Sequence, residues 1–169
     1  MSALLPALSV LFAVLATAVP WGLPADATFV LPLVVVMMVF CWRALPGATL
    51  SPTVAMLLGL LTDVMSGGPL GFWALLSLIA SGAGTRARPL GEGGEMSLLW
   101  LVWIVLAVGL TAFGWLLASL YFLRWVDWWP IAFSAVVSMA LFPIVLHGVI
   151  WIGRGRLGPS RSATYRGRA

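Results

Sequence analysis

The sequence predicts an all-α integral membrane protein with about six transmembrane helices. Hydrophobic residues make up 62% of the 169-residue chain and charged residues only 8%, whereas a soluble domain carries about 25% charged residues. The apolar residues fall into six runs that, with their flanking residues, approach the ~20 residues needed to cross a bilayer. Because so few charges remain to cover a water-facing surface, the composition excludes a soluble fold with a large core.

Six spans follow one another, and residues rich in Gly, Pro or charge separate them. The first is interpreted as a retained span and not a secretory signal, because no basic region precedes it and apolar sequence resumes at Phe29. The second and fourth are the shortest and reach ~20 residues only with their flanks. Residues 1–153 then form one transmembrane domain, and residues 154–169 a basic, disordered cytoplasmic tail. The predicted spans are Ala3–Trp21, Thr28–Trp42, Ala48–Met65, Leu70–Ser81, Ser97–Leu123 and Trp128–Ile152.

Arginine positions orient these spans. With a cytoplasmic N-terminus, eight of the nine cationic residues lie inside and only Arg124 lies outside. Cytoplasmic loops retain arginine because translocating it is costly, so both termini are predicted to face the cytoplasm. A re-entrant pair in place of spans three and four fits the same charges, although the length of both stretches favours full crossings. The inner arginines are Arg43, Arg86, Arg88, Arg154, Arg156, Arg161, Arg166 and Arg168.

Tryptophan and small residues add two further expectations. Indole prefers the membrane interface, and most tryptophans fall near predicted span edges. Stripes of small residues on spans five and six predict close packing between helices of this chain. The outer tryptophans are Trp21, Trp73, Trp125, Trp128 and Trp129, and the inner ones Trp42, Trp100, Trp103 and Trp151. The small-residue stripes are Ala107, Thr111, Gly114 and Ala118 on span five, and Ser134 and Ser138 on span six.

Asp63 is the only carboxylate inside an apolar span, within the hydrophilic break at residues 59–71. An ionisable side chain there costs roughly 2.5–3.5 kcal/mol, so a partner or a role is expected. The C-terminal end of its own helix repels a carboxylate. Residues 67–69 read as a helix stop and a fresh start, with Pro69 near the first turn, whose unpaired N–H groups can donate to Asp63. Arg124, on the same outer side, is the alternative partner.

Three roles for Asp63 stay open: closing a tight helical hairpin, binding another protein or a solute directly, and relaying a proton. If it closes the hairpin, the outer turn is held rigid by Asp63, Gly68 and Pro69 and presents a fixed surface. Asp63→Asn is then expected to preserve most of the hydrogen bonding, and Asp63→Leu to destabilise the hairpin.

The same segment resembles the signature of the bacterial rod-shape-determining membrane protein family MreD. That family has a GLL-x-D segment, followed by G-x-PLG and by an apolar helix with Ala and Leu. Length and span count agree along the whole chain, and the Arg-rich tail after Ile152 departs from the pattern. The matching residues are Gly59, Leu60, Leu61, Thr62 and Asp63, then Gly68, Pro69, Leu70 and Gly71, then Ala74, Leu75 and Leu76.

The resemblance implies a non-enzymatic scaffold of the cell-wall elongation machinery in the inner membrane. MreD-like proteins bind the bitopic protein MreC and work with MreB, RodA-type glycosyltransferases and a class B penicillin-binding protein. Their fold is similar to the S components of energy-coupling-factor transporters, so a solute-binding subunit of such a transporter is the alternative. That function needs polar side chains around a cavity, and the chain offers few beyond Asp63, Arg124, Asp127 and Thr28. The structural or partner-binding residues are expected to be Gly59, Asp63, Gly68, Pro69, Leu70 and Gly71.

No catalytic, cofactor or metal site is predicted. The lone Cys41 excludes an internal disulfide and a cysteine metal cluster. His147 lies towards the inner leaflet, away from Asp63, and is expected to bond a neighbouring hydroxyl or carbonyl. The segment Arg86–Glu95 lacks the lysine and the strand-to-helix context of a phosphate loop, and is predicted to be a flexible linker. The net charge of +4 lies at span edges and in the tail, which indicates membrane lipids and not nucleic acid as partners.

Overall fold

The computed structural model describes residues 4–19, 22, 29–47 and 50–153, and every regular element within these ranges is an α-helix. The predicted all-α class is confirmed for this part of the chain. Expectations for Ala3, Trp21, Thr28, Ala48 and residues 154–169 lie outside the described residues. The six helices are α1 Leu4–Thr17, α2 Val30–Ala44, α3 Pro52–Ser66, α4 Phe72–Gly93, α5 Met96–Tyr121 and α6 Trp129–Gly153.

Among the described helices, α5 and α6 are long and apolar enough to cross a membrane, with 26 and 25 residues. They measure about 39 and 38 Å at 1.5 Å per residue. Only 22% and 28% of their most apolar stretches are buried, which is unlike a core helix of a soluble protein. The apolar helices α1, α2 and α3 have 14, 15 and 15 residues and fall short of the ~30 Å hydrocarbon layer. Six crossings therefore remain a prediction.

The bundle is arranged around α2, which packs against α1, α3, α4 and α6. Helices α2 and α4 run parallel along the whole length of α2. At their starts, the rings of Phe29 and Trp73 lie 6.3 Å apart. At their ends, Gly91 lies against the carbonyl oxygen of Ala44. Helix α4 follows α3 through the turn at residues 67–71 and runs antiparallel to it. Helix α3 therefore contacts the start of α4, and α2 contacts its end.

An aromatic cluster joins α2, α5 and α6. The Trp103 ring stacks on Phe142 with centroids 5.8 Å apart. The Phe40 ring lies 5.4 Å from Trp103 and 6.1 Å from Phe142. All three side chains are fully buried, so they form the centre of the hydrophobic core and fix how α5 and α6 pack on α2.

Three tryptophans predicted at the membrane edges lie inside the bundle. Trp42 and Trp73 are each 5% exposed, and Trp103 is fully buried. The Trp42 indole N–H donates to Ser9 Oγ over 2.9 Å, so this ring links α2 to α1. These three indole rings pack between helices. Such packing depends on neighbouring residues that the sequence alone does not reveal. The predicted edge tryptophans with exposed side chains are Trp100, Trp125, Trp128, Trp129 and Trp151.

The segment predicted as a flexible linker after span four is helical instead. Helix α4 does not end near Ser81 but continues through Pro89 to Gly93. Gly94, with φ of 76°, then ends it in the left-handed conformation that glycine adopts without strain. The glycines of this segment suggested a loop by their low helix propensity, and packing against α2 has overridden that propensity.

The part of α4 beyond the predicted span, residues 82–93, is called the α4 extension, and it packs against the end of α2. A Cβ atom at Gly84 would lie 2.7 Å from the carbonyl oxygen of Phe40, so only glycine permits this approach. Arg43 Nη2 donates to Thr85 Oγ1 over 2.6 Å, and Arg43 Nη1 donates to the carbonyl oxygen of Leu50 over 2.7 Å. One arginine therefore joins the end of α2 to both α4 and the segment that begins α3.

Two other helices differ from their predicted bounds. Helix α3 begins at Pro52, because Ser51 Oγ accepts a hydrogen bond from the Val54 N–H at 3.2 Å and caps the helix. Helix α1 ends at Thr17, well before the predicted end. The bounds of α2, α5 and α6 agree with the prediction within two residues.

Two glycines of α4 offer a matched test of this packing. We expect Gly84→Ala to lower the free energy of unfolding by about 1–3 kcal/mol, because the new methyl group overlaps the α2 backbone. Gly82→Ala is the control, since its Cβ would meet only Arg86 Nη1 at 3.6 Å. This control should be neutral or stabilise the helix by up to ~1 kcal/mol. Thermal unfolding of both variants in one detergent measures the difference, and equal stabilities would contradict the close contact.

Candidate functional site

The turn between α3 and α4 holds the motif predicted from the sequence. Gly67, with φ of 65°, ends α3 and Gly71, with φ of 93°, precedes α4. Both conformations lie in the left-handed region that favours glycine. Helix α4 begins at Phe72, so Pro69 lies in the turn three residues before the helix, near its first turn as predicted. The Phe72 N–H donates to the Pro69 carbonyl oxygen over 3.2 Å.

Asp63 accepts three backbone hydrogen bonds from the start of α4. Its Oδ1 accepts from the Trp73 N–H at 2.7 Å, and its Oδ2 accepts from the N–H groups of Gly71 at 2.9 Å and Ala74 at 3.4 Å. The side chain is 1% exposed. The hydrogen bonding predicted for this carboxylate is therefore confirmed.

These bonds complete the first turn of α4. The first N–H groups of a helix have no intrahelical partner. Here the Asp63 carboxylate accepts from the N–H groups of residues 71, 73 and 74, and the Pro69 carbonyl oxygen accepts from the Phe72 N–H. The Leu75 N–H then makes the first bond of the regular helix, to the Gly71 carbonyl oxygen at 2.9 Å. Since Gly71 has no side chain, a carboxylate from another helix replaces the usual capping residue.

The electrostatics of the turn favour a negative charge at this position. The N-terminus of α4 carries the positive end of the helix dipole, and its N–H groups point at the carboxylate oxygens. An ionised carboxylate only accepts hydrogen bonds, and each of its two oxygens meets donors alone. The arrangement offsets the unfavourable end of α3, on which Asp63 itself lies.

The alternative partner, Arg124, does not contact Asp63. Arg124 is exposed, and its guanidinium lies 6.0 Å from the centroid of the Phe122 ring. Within the described residues, the one ion pair joins Arg88 and Glu92 on the surface of α4, at 3.0 Å. The prediction of an Asp63–Arg124 pair is wrong, because the backbone donors of α4 lie closer and occupy both carboxylate oxygens.

The close contact at Gly59 explains the four-residue spacing between Gly59 and Asp63 in the motif. A Cβ atom there would lie 2.5 Å from Ala74 Cα and 2.8 Å from the Trp73 carbonyl oxygen. Gly59 and Asp63 are four residues apart and share one face of α3. The glycine thus brings the first turn of α4 close enough for the carboxylate one helical turn later to reach its N–H groups.

The six predicted motif residues divide into two groups. Gly59, Asp63 and Gly71 hold the hairpin closed through the contacts above. Leu70 is 78% exposed, and Gly68 is exposed beside it. Pro69 is half-buried and lies between these groups. The motif therefore contains residues that hold the two helices together and an exposed apolar side chain at the turn.

An apolar cavity of about 230 Å³ lies beside the turn, and sequence reasoning missed it. Its lining comes from α2, α4, α5 and α6, from Ser66 at the end of α3 and from the turn itself, so no single segment could reveal it. The small residues of α5 were the available signal. Gly114 packs as predicted, since its Cβ would lie 3.1 Å from Phe72 Cζ. Thr111, Ala118 and Ser134 face the cavity as well.

The remaining predicted polar feature is His147. Its Nδ1 donates to the Pro143 carbonyl oxygen over 2.7 Å, because a carbonyl oxygen can only accept. The predicted local hydrogen bond is confirmed. Among the residues that the structure describes, no three His, Cys, Asp or Glu side chains lie close enough together to hold a metal ion.

The fold and the site define a helical protein with two apolar helices of membrane-crossing length and a hairpin closed by a buried carboxylate. Comparison with known proteins identifies no relative: no protein-family model, curated protein or solved structure matches the chain.

Substitutions of Asp63 test the closure of the hairpin. The geometry revises the expectation for Asp63→Asn, because an amide nitrogen would face N–H donors on one side and at most two of the three bonds survive. We expect Asp63→Asn to lower the free energy of unfolding by about 1–3 kcal/mol. Asp63→Leu leaves all three buried donors unpaired and should lower it by about 3–5 kcal/mol. Denaturant unfolding in detergent measures both.

Asp127→Asn is the control, because Asp127 is exposed and accepts one bond, from the Trp129 N–H at 3.1 Å. Its effect should stay within about 0.5 kcal/mol. Equal effects of Asp63→Leu and Asp127→Asn would show that the three hydrogen bonds do not stabilise the fold.

Proposed function

We propose that the chain is a multi-pass protein of the bacterial inner membrane and a non-enzymatic scaffold of cell-wall elongation, like the MreD family that its α3–α4 turn resembles. In this role it holds a bitopic, MreC-like partner. Through that partner it maintains rod shape together with a RodA-type glycosyltransferase and a class B penicillin-binding protein. The observation that carries the proposal is a turn closed by three hydrogen bonds to Asp63 that leaves Leu70 exposed.

Six membrane crossings with both termini in the cytoplasm are part of this proposal. The apolar lengths of α5 and α6 support it. So does the parallel course of α2 and α4, which favours a full crossing of α4 over a re-entrant one. Charge supports the orientation, because Arg43 and the α4 extension lie at one end of the bundle and Arg124 at the other. The short helices α1, α2 and α3 fit if the bilayer thins locally around them.

The scaffold acts by presenting a fixed apolar surface. A large exposed apolar side chain on a turn gains binding energy if the turn does not have to become ordered on binding. The buried carboxylate and the glycine contact at Gly59 hold this turn before a partner arrives. Leu70 then enters the partner's surface without an ordering penalty. Rigidity and exposure at one site are what a docking element requires.

The solute-binding alternative has one observation in its favour, the cavity beside the turn. Its lining counts against a polar solute, however. The carboxylate of Asp63 is committed to the backbone of α4, and Asp127 is an exposed acceptor for the Trp129 N–H. Polar groups do not converge on the cavity, so the scaffold is the better-supported function.

Leu70→Gln separates docking from folding. We expect it to change the free energy of unfolding by less than about 0.5 kcal/mol, because the side chain is on the surface. It should nevertheless lower co-purification of the MreC-like partner several-fold, since the apolar contact is lost. Leu123→Gln is the control, because Leu123 is 89% exposed in the turn between α5 and α6. Unchanged partner recovery with Leu70→Gln would remove the turn from the docking surface.

Depleting the protein separates the two functions in cells. Rounding of rod-shaped cells, rescued by the natural chain but not by Asp63→Leu, is the expected result for a scaffold. Normal shape together with a new vitamin requirement would instead indicate the transporter subunit. Normal shape and unchanged partner recovery with Asp63→Leu would count against the scaffold.

A further inference from the structure

The cavity beside the turn has the size of a hydrocarbon chain segment. Leu33, Leu76 and Leu110 line it and are each 2% exposed, so they form its base. Its volume is about 230 Å³. An engineered apolar cavity of roughly 150 Å³ accommodates benzene, so by proportion this one holds about nine carbon atoms. An apolar occupant of this size would gain many dispersion contacts with the cavity wall.

The hydroxyl groups of the cavity wall are already hydrogen-bonded within the protein. Three hydroxyl groups line it, on Ser66, Thr111 and Ser134. Each already donates to a carbonyl oxygen of its own helix, at 3.3, 2.7 and 2.8 Å respectively. A ligand with buried polar groups would find no free donor among them and would lose its own hydration. An aliphatic chain has no such groups and fits this wall.

The mouth of the cavity lies at the end of the bundle that carries the α3–α4 turn. Ser66, Gly68 and Phe122 line the cavity and are exposed. Trp125 and Trp128, in the neighbouring turn between α5 and α6, are 80% and 60% exposed. Exposed indole rings are typical of the membrane–water interface. At that depth the glycerol and head group of a lipid lie beside the start of its acyl chains.

A cation stands near this mouth. Arg124 lies between Phe122 and Val126, two residues that line the cavity, and its guanidinium is 6.0 Å from the Phe122 ring. No ion pair involves it among the described residues. Of the described carboxylates at this end, Asp63 is committed to α4, and Asp127 accepts from the Trp129 N–H. The arginine is therefore available to an anionic head group.

We propose that this cavity binds one acyl chain of an anionic glycerophospholipid, with the head group at Arg124. The inference rests on the membrane location proposed above and not on the scaffold role. The chain end would contact the base at Leu33, Leu76 and Leu110, and the phosphate would lie at the interface beside the guanidinium. Such a lipid would fill the space between the start of α4 and the ends of α5 and α6 that meet it.

Native mass spectrometry of the full chain in detergent tests the site. The delipidated protein is titrated with a phosphatidylglycerol or a phosphatidylcholine that carry identical acyl chains. We expect one bound phospholipid that survives detergent exchange, with phosphatidylglycerol preferred about fivefold, the effect of one arginine near an anionic head group. Retention of no phospholipid, or of detergent or free fatty acid alone, would overturn the proposal.

Two variants fill the cavity from different helices. Ala118→Phe on α5 and Ser134→Leu on α6 should each lower phospholipid retention at least fivefold, because their new side chains occupy the chain's place. Ala112→Phe adds the same bulk to the exposed face of α5 and should leave retention unchanged. Circular dichroism and gel filtration establish that each variant is folded. Equal retention by a folded cavity variant and by Ala112→Phe would refute this location.

Arg124→Gln tests the head group separately. It should abolish the preference for phosphatidylglycerol while phosphatidylcholine binding persists. Arg86→Gln is the control, because Arg86 is exposed at the opposite end of the bundle. A preference that survives Arg124→Gln contradicts the assignment of the head group. All these variants retain Asp63 and Leu70, so loss of lipid alone would leave the scaffold proposal standing.

Discussion

The contact on which the rest of the structure depends is the one between the Asp63 carboxylate and the first turn of α4. Where α4 begins directly after α3, its first N–H groups lack intrahelical partners and carry the positive end of the helix dipole. The Asp63 side chain compensates for both features. Its charge faces the positive end of α4, and its oxygens accept hydrogen bonds from three of the free N–H groups. The position of α4 follows from this, and with it one wall of the cavity and the exposure of Leu70.

Glycine sets the positions of α4 at both ends. Near its start, Gly59 allows α3 to approach the backbone of Ala74, and further along Gly84 and Gly91 allow the same against α2. Such close backbone contact is a source of packing energy, because it brings many atoms of the two helices within van der Waals distance. The helix is thereby fixed between two neighbours by residues without side chains. Hydrogen bonds of Arg43 and Asp63 then determine its register along each of them.

The sequence predicted those features whose cause is local. Apolar runs indicated the six helices, and the charge of Asp63 beside residues 67–69 was enough to predict its hydrogen bonds. Features that depend on several helices were missed. The α4 extension depends on the end of α2, the burial of Trp103 depends on Phe40 and Phe142, and the cavity needs residues from five helices. Helix propensity and interface preference describe a residue alone, so they could not reveal these arrangements.

The hydrogen bonds of Asp63 also bear on the order of assembly. Its three donors lie 8, 10 and 11 residues further along the chain, and no other helix is needed to supply them. As soon as the ribosome has released α3 and the first turn of α4, all three hydrogen-bond donors to the carboxylate are present. The α3–α4 hairpin can therefore close before α5 and α6 are made, so the carboxylate has its hydrogen-bond donors from an early stage of folding.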